Sequence, residues 1–158
     1  MLEIREITAQ QDSEIHDIIT TVGKEFGAIG DGFGPSDTEV LAMSQHYKIE
    51  SRACYWVALH NGVVIGGAGI AALNDQGVCE LRKLFLSANA RGLGVGRALL
   101  AQCLQFAEEM GYSACYLDTL ASMTSAIALY EKFGFEHLSH PLEETEHEGC
   151  DVWMLKIL

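Results

Sequence analysis

The stretch of this sequence that points most directly to chemistry is rich in glycine and reads Arg91-Gly92-Leu93-Gly94-Val95-Gly96-Arg97-Ala98. Glycines let a backbone approach a ligand closely, and the first N–H groups of a helix have no partners within the helix. The stretch follows a predicted strand and opens a predicted helix that has no Ser, Thr or Asp to cap it. The free N–H groups, the helix dipole and the two arginines therefore predict a site for a phosphate-bearing ligand.

Three glycine-rich phosphate-binding motifs compete for this stretch. A Walker loop requires Gly-Lys-Ser/Thr, which is absent. A dinucleotide fingerprint requires a third glycine, but that place holds Arg97 when counted from Gly92 and Leu99 when counted from Gly94. The pattern that fits is Arg/Gln-x-x-Gly-x-Gly/Ala, which cradles the pyrophosphate of coenzyme A.

The net charge of −12 is distributed unevenly along the chain. Residues 81–107 contain no Asp or Glu and carry four of the ten basic residues, namely Arg82, Lys83, Arg91 and Arg97. This basic strip suits an anionic ligand. The acidity of the rest of the chain disfavours nucleic acid as a partner. It favours cationic ligands, because a negative field raises their encounter rate.

Hydrophobic periodicity predicts a mixture of strands and helices. Strands are predicted at residues 2–7, 53–60, 63–73, 78–86, 114–119, 135–138 and 152–158. Helices are predicted at residues 12–25, 94–110 and 122–133, with a further helix capped by Ser36 or Asp37 and running to about His46. Asn61-Gly62 predicts a type I′ turn, so the middle of the chain is predicted to be an antiparallel meander.

Length and composition suit one domain spanning residues 1–158. No apolar run approaches the roughly 20 residues that cross a bilayer, and the N-terminus lacks the pattern of a signal peptide, so we expect a cytoplasmic protein without a membrane partner. The five cysteines include no Cys-x-x-Cys pair and are odd in number, which favours free, buried thiols. We predict no metal site, since His140, His147 and Cys150 lie close in sequence but match no common ligand spacing.

The chain resembles the GNAT superfamily of N-acetyltransferases, and in particular its small, single-domain bacterial members. Residues 84–86 (Leu84, Phe85 and Leu86) look like the strand segment that pairs with pantetheine in that family. The loop of residues 91–97 is similar to its pyrophosphate loop, and residues 128–135, Ala-Leu-Tyr-Glu-Lys-Phe-Gly-Phe, to its closing helix. Met123 departs from the pattern, because many members have a cofactor-binding asparagine at that place.

The resemblance implies an α+β fold, with a mostly antiparallel, twisted sheet of six to seven strands flanked by about four helices. It also implies acetyl-CoA as co-substrate. Glu80 lies eleven residues before the pyrophosphate loop, where the family often places a general base; a salt bridge to Arg82 is the alternative. Tyr130 takes the place of the family's general acid; the alternative is a tyrosine that only packs in the core. The N–H groups of residues 84–86 are placed to polarise the thioester carbonyl.

The expected activity is transfer of an acetyl group from acetyl-CoA to an amine of a small acceptor, by direct attack in a ternary complex. We expect a cationic acceptor, because the loop of residues 27–35 and the acidic run of residues 143–148 flank the acceptor side of the cleft in this fold. A merely solvated acidic loop is the alternative for that run.

Other interpretations stay open. The chain can be a non-catalytic acyl-CoA sensor or interaction module on the same fold, or an enzyme that acetylates a protein N-terminus or lysine. A covalent route would use Cys150 activated by His147, whereas the resemblance implies direct transfer. The sequence also leaves open the identity of the acceptor and whether the chain forms a homodimer.

Overall fold

One mixed sheet organises the chain. The computed structural model describes residues 1–28, 30, 35, 37–142 and 149–158, and in it seven strands have the order β1-β2-β3-β4-β5-β7-β6. The strands are β1 (Leu2–Glu6), β2 (Cys54–His60), β3 (Val63–Ala72), β4 (Val78–Leu86), β5 (Ala114–Thr119), β6 (Glu136–Leu138) and β7 (Val152–Ile157). Neighbours pair antiparallel except β4 and β5, which pair parallel. The predicted mostly antiparallel sheet of an α+β fold is confirmed.

Helices lie against both faces of this sheet. They are α1 (Asp12–Glu25), α2 (Val95–Glu109) and α3 (Thr124–Lys132), so the described residues contain three α-helices where about four were expected. None of these helices is long and apolar enough to cross a bilayer. The predicted turn at Asn61-Gly62 is confirmed, because φ is +52° at Asn61 and +82° at Gly62, as a type I′ turn requires.

The missing helix is the one predicted to run from residue 36 or 37 to about residue 46, and that prediction is wrong. The segment forms short 3₁₀ turns at Thr38–Leu41 and Met43–Gln45, separated at Ala42, where φ is −153°. Val40 of the first turn and Met43 of the second are both buried, so the two turns each bury an apolar side chain without forming one continuous helix. Ser36, one of the two predicted caps, lies outside the described residues.

The sheet separates two hydrophobic cores. In β2, Trp56 and Ala58 belong to the core beneath α2 and α3, while Tyr55 and Val57 belong to the core beneath α1. Successive side chains of a strand point to opposite faces, so a strand covered on both faces is apolar throughout.

Two irregularities of β4 shape the site. Its pairing with β5 ends at Glu80 opposite Tyr116, so the two strands are not paired beyond that point. Its pairing with β3 shifts by one residue, since Arg82 lies opposite Gly69 but Phe85 opposite Gly67. The extra residue forms a β-bulge at Lys83 and Leu84. Strand β4 therefore offers an unpaired, locally bent edge towards α3.

Candidate active site

Two cavities meet at the unpaired edge of β4. The larger is a cleft of about 280 Å³ between β4, α3 and the C-terminal end of α1, and it leads to the glycine-rich loop. The smaller has a volume of about 60 Å³ and lies between β4 and β5. Leu84, Phe85 and Met123 line both, so these residues mark the junction. An extended ligand in the cleft would reach this junction with one end.

The glycine-rich loop, which the sequence predicted to be a pyrophosphate site, lines part of the cleft through Arg91, Gly92 and Gly96. Gly92 and Gly94 adopt φ values of +79° and +78°, a left-handed conformation that favours glycine. Gly94 is the N-cap of α2, and no side chain caps the helix start. A Cβ atom at Gly92 or Gly94 would meet nothing within 4 Å, so space for a ligand lies outside both residues. The open N–H groups and this space fit a pyrophosphate.

The remaining loop residues differ in what they present. Gly96 lines the cleft, and a Cβ atom there would lie 3.3 Å from side chains of Leu86 and Leu129. Val95 is only 2% exposed and packs in the core, so it offers a ligand its backbone alone. Leu93 and Arg97 are exposed. The predicted phosphate contacts therefore fall to the backbone of the loop and to its arginines.

Arg91 lines the cleft but is held by the end of α1. Its Nη2 atom donates a hydrogen bond of 2.8 Å to Oε1 of Glu25, and its Nη1 atom donates to Oε2. The guanidinium also lies 5.2 Å from the ring centre of Phe26. The hydrogen bond from Arg91 lowers the pKa of Glu25, so the pair is charged at neutral pH. A phosphate at this end of the cleft would compete with Glu25 for the Arg91 guanidinium.

The smaller cavity has both charged and apolar walls. Arg82 and Lys83 line it from β4 and Asp118 from β5, and Tyr130, Cys150 and several apolar side chains also line it. Lys83 is 8% exposed, and its Nζ atom donates a hydrogen bond of 2.8 Å to Oδ2 of Asp37. A charged acceptor would therefore meet charges of both signs at this end of the site.

Tyr130, which the sequence predicted to be a general acid, lies on the wall of the smaller cavity. It is 5% exposed, packs 5.8 Å from the ring of Phe135 and lines the smaller cavity next to the junction. Burial raises the pKa of its phenol, so the hydroxyl stays protonated at neutral pH and can donate a proton or a hydrogen bond.

Glu80 forms the ion pair that was the alternative to a general base. Its Oε1 atom accepts a hydrogen bond of 2.8 Å from Nε of Arg82, and the side chain is 6% exposed. Burial would lower the pKa of Arg82, but the charge of Glu80 contributes to a net rise. Glu80 itself is not among the residues that line the cavity, whereas Arg82 is. Direct contact between Glu80 and an acceptor in this cavity is therefore not part of the observed geometry, and Arg82 is the partner of Glu80 that lines the cavity.

Two of the open sequence questions concern Met123 and Cys150. The pKa of the Cys150 thiol is raised to about 12, mainly because the thiol is buried and to a smaller extent because Asp118 is negatively charged. A thiol with that pKa stays protonated at neutral pH, which disfavours the covalent route.

Met123 lines both cavities, and its sulfur accepts a hydrogen bond of 3.4 Å from Oγ1 of Thr119. His147, the predicted activator of Cys150, lies outside the described residues.

Sequence reasoning missed several residues of the site. Asp118, Glu25, Phe26 and Ser125 border the cavities or hold Arg91, yet they come from segments with no motif of their own. These residues come together at the site because β4 and β5 separate beyond Glu80 and because the end of α1 packs beside the cleft. One available signal was overlooked, namely the three glycines of β3, which mark a close approach of other groups to that strand.

Comparisons with known proteins agree with this geometry. The model of the acetyltransferase (GNAT) family matches residues 24–135. An uncharacterized N-acetyltransferase, YjgM of Escherichia coli, is 38% identical over 158 residues, covering 98% of this chain and 94% of that protein. N-acetylaspartate synthetase of Xenopus tropicalis is 35% identical over 101 residues, covering 64% of this chain but only 37% of that protein.

Solved structures show the same fold. A GNAT acetyltransferase from Staphylococcus aureus superposes with a TM-score of 0.86 at 20% identity, covering 99% of both chains. The Salmonella typhimurium protein yncA, solved with acetyl-CoA, superposes with a TM-score of 0.80 at 19% identity, covering 99% of this chain and 94% of that one. The family match over most of the chain and the full-length similarity to YjgM establish that this protein belongs to the acetyltransferase (GNAT) family and is an acetyl-CoA-dependent N-acetyltransferase.

Proposed function

We propose that the chain, as a single domain of residues 1–158, transfers the acetyl group of acetyl-CoA to the amine of a small, cationic acceptor by direct attack in a ternary complex. The observation that carries this proposal is the junction of the two cavities at Leu84, Phe85 and Met123. A cofactor bound along the cleft and an acceptor in the smaller cavity would meet there, next to Tyr130.

Each part of the site has a role in this proposal. Acetyl-CoA supplies the activated acetyl group when it is bound. The backbone of the loop at residues 91–97 binds the pyrophosphate, and the edge of β4 at residues 84–86 orients the pantetheine arm. N–H groups of the same strand segment polarise the acetyl carbonyl. Tyr130 donates a proton or hydrogen bond to the departing sulfur. Direct transfer is preferred to a route through Cys150, whose thiol stays protonated at neutral pH.

The charges around the smaller cavity support a cationic acceptor. Among the described residues, the charged side chains that line this cavity are Arg82, Lys83 and Asp118, a net charge of +1. Three acids behind the wall pair with the two bases and bring the net charge to −2 when all are ionised: Asp37 and Glu39 lie near Lys83, and Glu80 pairs with Arg82. A net negative charge around the cavity attracts an ammonium group and raises its encounter rate. The acidic run of residues 143–148, part of the sequence argument for this acceptor, lies outside the described residues.

The alternatives make different demands on this site. A non-catalytic acyl-CoA sensor does not need a protonated phenol at the junction, and Tyr130 is present there. An enzyme that acetylates a protein N-terminus or lysine needs room for a polypeptide, and the described cavity of about 60 Å³ favours a small acceptor. The relatives named N-acetylaspartate synthetase add one concrete competitor, an acceptor that carries carboxylates.

A screen of amines tests the proposal. The purified protein is given acetyl-CoA and polyamines, basic amino acid derivatives, amine-bearing drugs, neutral amines and aspartate, and released thiol is measured at two salt concentrations. We expect the best acceptor to be cationic and its kcat/KM to fall as salt rises, because salt screens the attraction. A best acceptor that is neutral or anionic would contradict the cationic assignment, and release of no thiol with any amine would favour the sensor.

The role of Glu80 as a general base is a further proposal, with a test built on its ion pair. Glu80→Gln keeps a hydrogen-bond acceptor for Arg82 but cannot take a proton. If Glu80 is the base, acting directly or through a relay, the rate should fall most at low pH, where free amine is scarce. The measurement is the pH dependence of kcat/KM with the acceptor found in the screen. A profile parallel to that of the wild type would assign Glu80 to the ion pair alone.

A further inference from the structure

The bulge in β4 lies where the reaction would take place. Leu84 and Phe85 follow directly after it and line both cavities. At the bulge Lys83 adopts a φ of +54°, a left-handed conformation that side-chain-bearing residues rarely adopt. Such a conformation persists only where surrounding contacts hold it. Contacts from neighbouring side chains must therefore hold the backbone of β4 in this conformation.

Tyr55 of β2 provides the most direct contact. Its hydroxyl donates a buried hydrogen bond of 2.8 Å to the carbonyl oxygen of Lys83. Tyr55 is 1% exposed, and burial raises the pKa of its phenol well above the usual range. The hydroxyl thus stays protonated, and can donate this bond, at neutral pH. The bond crosses β3, from β2 on one side to β4 on the other.

The glycines of β3 make this contact possible. A Cβ atom at Gly67 would lie 2.6 Å from the Tyr55 hydroxyl oxygen, and one at Gly69 would lie 2.5 Å from its ring. Real Cβ atoms are essentially never that close to another heavy atom. The absence of side chains at these two positions lets the tyrosine lie across β3 and reach the bulge.

The side chain of Lys83 is a second anchor. It is 3% exposed, and its Nζ atom contacts Oδ2 of Asp37 at 2.8 Å and Oε1 of Glu39 at 3.8 Å. The bulge residue is thereby held by its backbone carbonyl from one side and by its side chain from the other. A buried lysine with a carboxylate partner at hydrogen-bonding distance is a costly arrangement to break.

We propose that Tyr55 is a positioning residue for acetyl transfer, with the Lys83 side chain as the second anchor: together they hold the β4 bulge so that the N–H groups following it polarise the acetyl carbonyl. The inference rests on the proposed function, since it assumes acetyl-CoA in the cleft. Tyr55 acts through the backbone of β4 and does not itself touch the acetyl group. Its loss should weaken polarisation of the carbonyl while leaving the pyrophosphate loop intact.

Isotope-edited infrared spectroscopy of bound acetyl-CoA, labelled with ¹³C at the acetyl carbonyl, measures this polarisation without an acceptor. Hydrogen bonding to the carbonyl lowers its stretching frequency, so the wild type should shift the band below that of free acetyl-CoA. Tyr55→Phe should lose at least half of the shift, while its Kd for CoA, measured by calorimetry, stays unchanged. With an acceptor, kcat should fall about tenfold or more, the scale expected for misplaced hydrogen-bond donors.

The matched control is Tyr47→Phe. Tyr47 lies in the same core, with its ring 5.4 Å from that of Tyr55, but within the described part of the chain its buried hydroxyl makes no hydrogen bond to the bulge. This variant should keep the full band shift and the wild-type kcat. Thermal unfolding of both variants compares their stabilities. If Tyr55→Phe does not fold, Lys83→Met removes the second anchor and should reduce the band shift in the same way.

The outcomes separate the inference from the function. Bound acetyl-CoA with the same band shift in wild type and in folded Tyr55→Phe overturns the positioning role and leaves the acetyltransferase proposal standing. A full shift in Lys83→Met, where that variant has to replace Tyr55→Phe, overturns it equally. A wild-type protein that binds no acetyl-CoA overturns both. A reduced shift in Tyr55→Phe with a full shift in Tyr47→Phe supports the inference.

Discussion

Replacing Gly94 with aspartate is expected to abolish binding of CoA and acetyl-CoA while the protein stays folded. A Cβ atom at this position meets nothing within 4 Å, so the new side chain occupies the space in which the proposed pyrophosphate lies. Two like charges 4 Å apart near a protein surface repel by about 4 kcal/mol, which corresponds to roughly a thousandfold in Kd. Calorimetric titration with CoA is the measurement.

Two controls separate charge from backbone strain. Gly94 has a φ of +78°, so any side chain there costs roughly 1–2 kcal/mol of stability. Gly94→Asn has nearly the same shape and tolerates this conformation better, but it carries no charge, so it should weaken binding much less. Gly111→Asp places the same charge and strain at the other end of α2, where φ is +83°. It should bind CoA like the wild type.

Two results would contradict a pyrophosphate role for this loop. Equal loss of binding in Gly94→Asp and Gly111→Asp would assign the effect to the helix and not to the pyrophosphate. A second contradiction would be equal affinity of the wild type for CoA and for a pantetheine fragment without phosphates. Either result would leave the glycine-rich loop as a structural turn.

Much of the fold was accessible from the sequence because its signals were local. Alternating apolar residues predicted the strands, Asn61-Gly62 predicted the hairpin, and the boundaries of β4 and β5 agree with prediction to the residue. The helix predicted after α1 is wrong because the spacing of Val40 and Met43 resembles that of a helix face, whereas the backbone between them leaves the helical conformation at Ala42. Tertiary contacts decide between the two conformations. One such contact is the Asp12 carboxylate, which accepts hydrogen bonds from the backbone N–H and the hydroxyl of Ser44.

The candidate site was accessible only where its residues are adjacent in sequence. The loop at residues 91–97 is contiguous, so its composition revealed it, although its role in binding stays a prediction. The contact between Glu25 and Arg91 spans 66 positions and the one between Tyr55 and Lys83 spans 28. Neither pair has a motif, because tertiary packing brings its partners together: α1 against the loop in the first pair, and the strands of the sheet in the second. The bulge at Lys83 was also hidden, since its left-handed residue is a lysine and not a glycine.

Tyr130→Phe is expected to lower kcat by roughly 10²–10⁴-fold, the usual contribution of a general acid, while acetyl-CoA binding changes little. The substitution removes only the hydroxyl, so the ring still packs against Phe135, 5.8 Å away. A group that assists departure of the sulfur acts in the transition state, so its loss appears in kcat and not in ground-state affinity. Single-turnover kinetics with the acceptor from the screen, together with calorimetry of acetyl-CoA, measure the two effects.

Tyr112→Phe is the matched control for this experiment. Tyr112 is 4% exposed and belongs to the same core as Tyr130, and its hydroxyl donates a hydrogen bond of 2.9 Å to the carbonyl oxygen of Arg52. Losing that bond costs about 1 kcal/mol of stability but removes nothing from the cavities. If Tyr130→Phe and Tyr112→Phe lose the same stability and both keep wild-type turnover, Tyr130 is a core residue and the leaving sulfur needs no acid. If only Tyr130→Phe loses turnover, the hydroxyl acts in the reaction.

Because burial raises the pKa of Tyr130, the wild-type rate should then show no loss at alkaline pH within the range in which a tyrosine usually titrates.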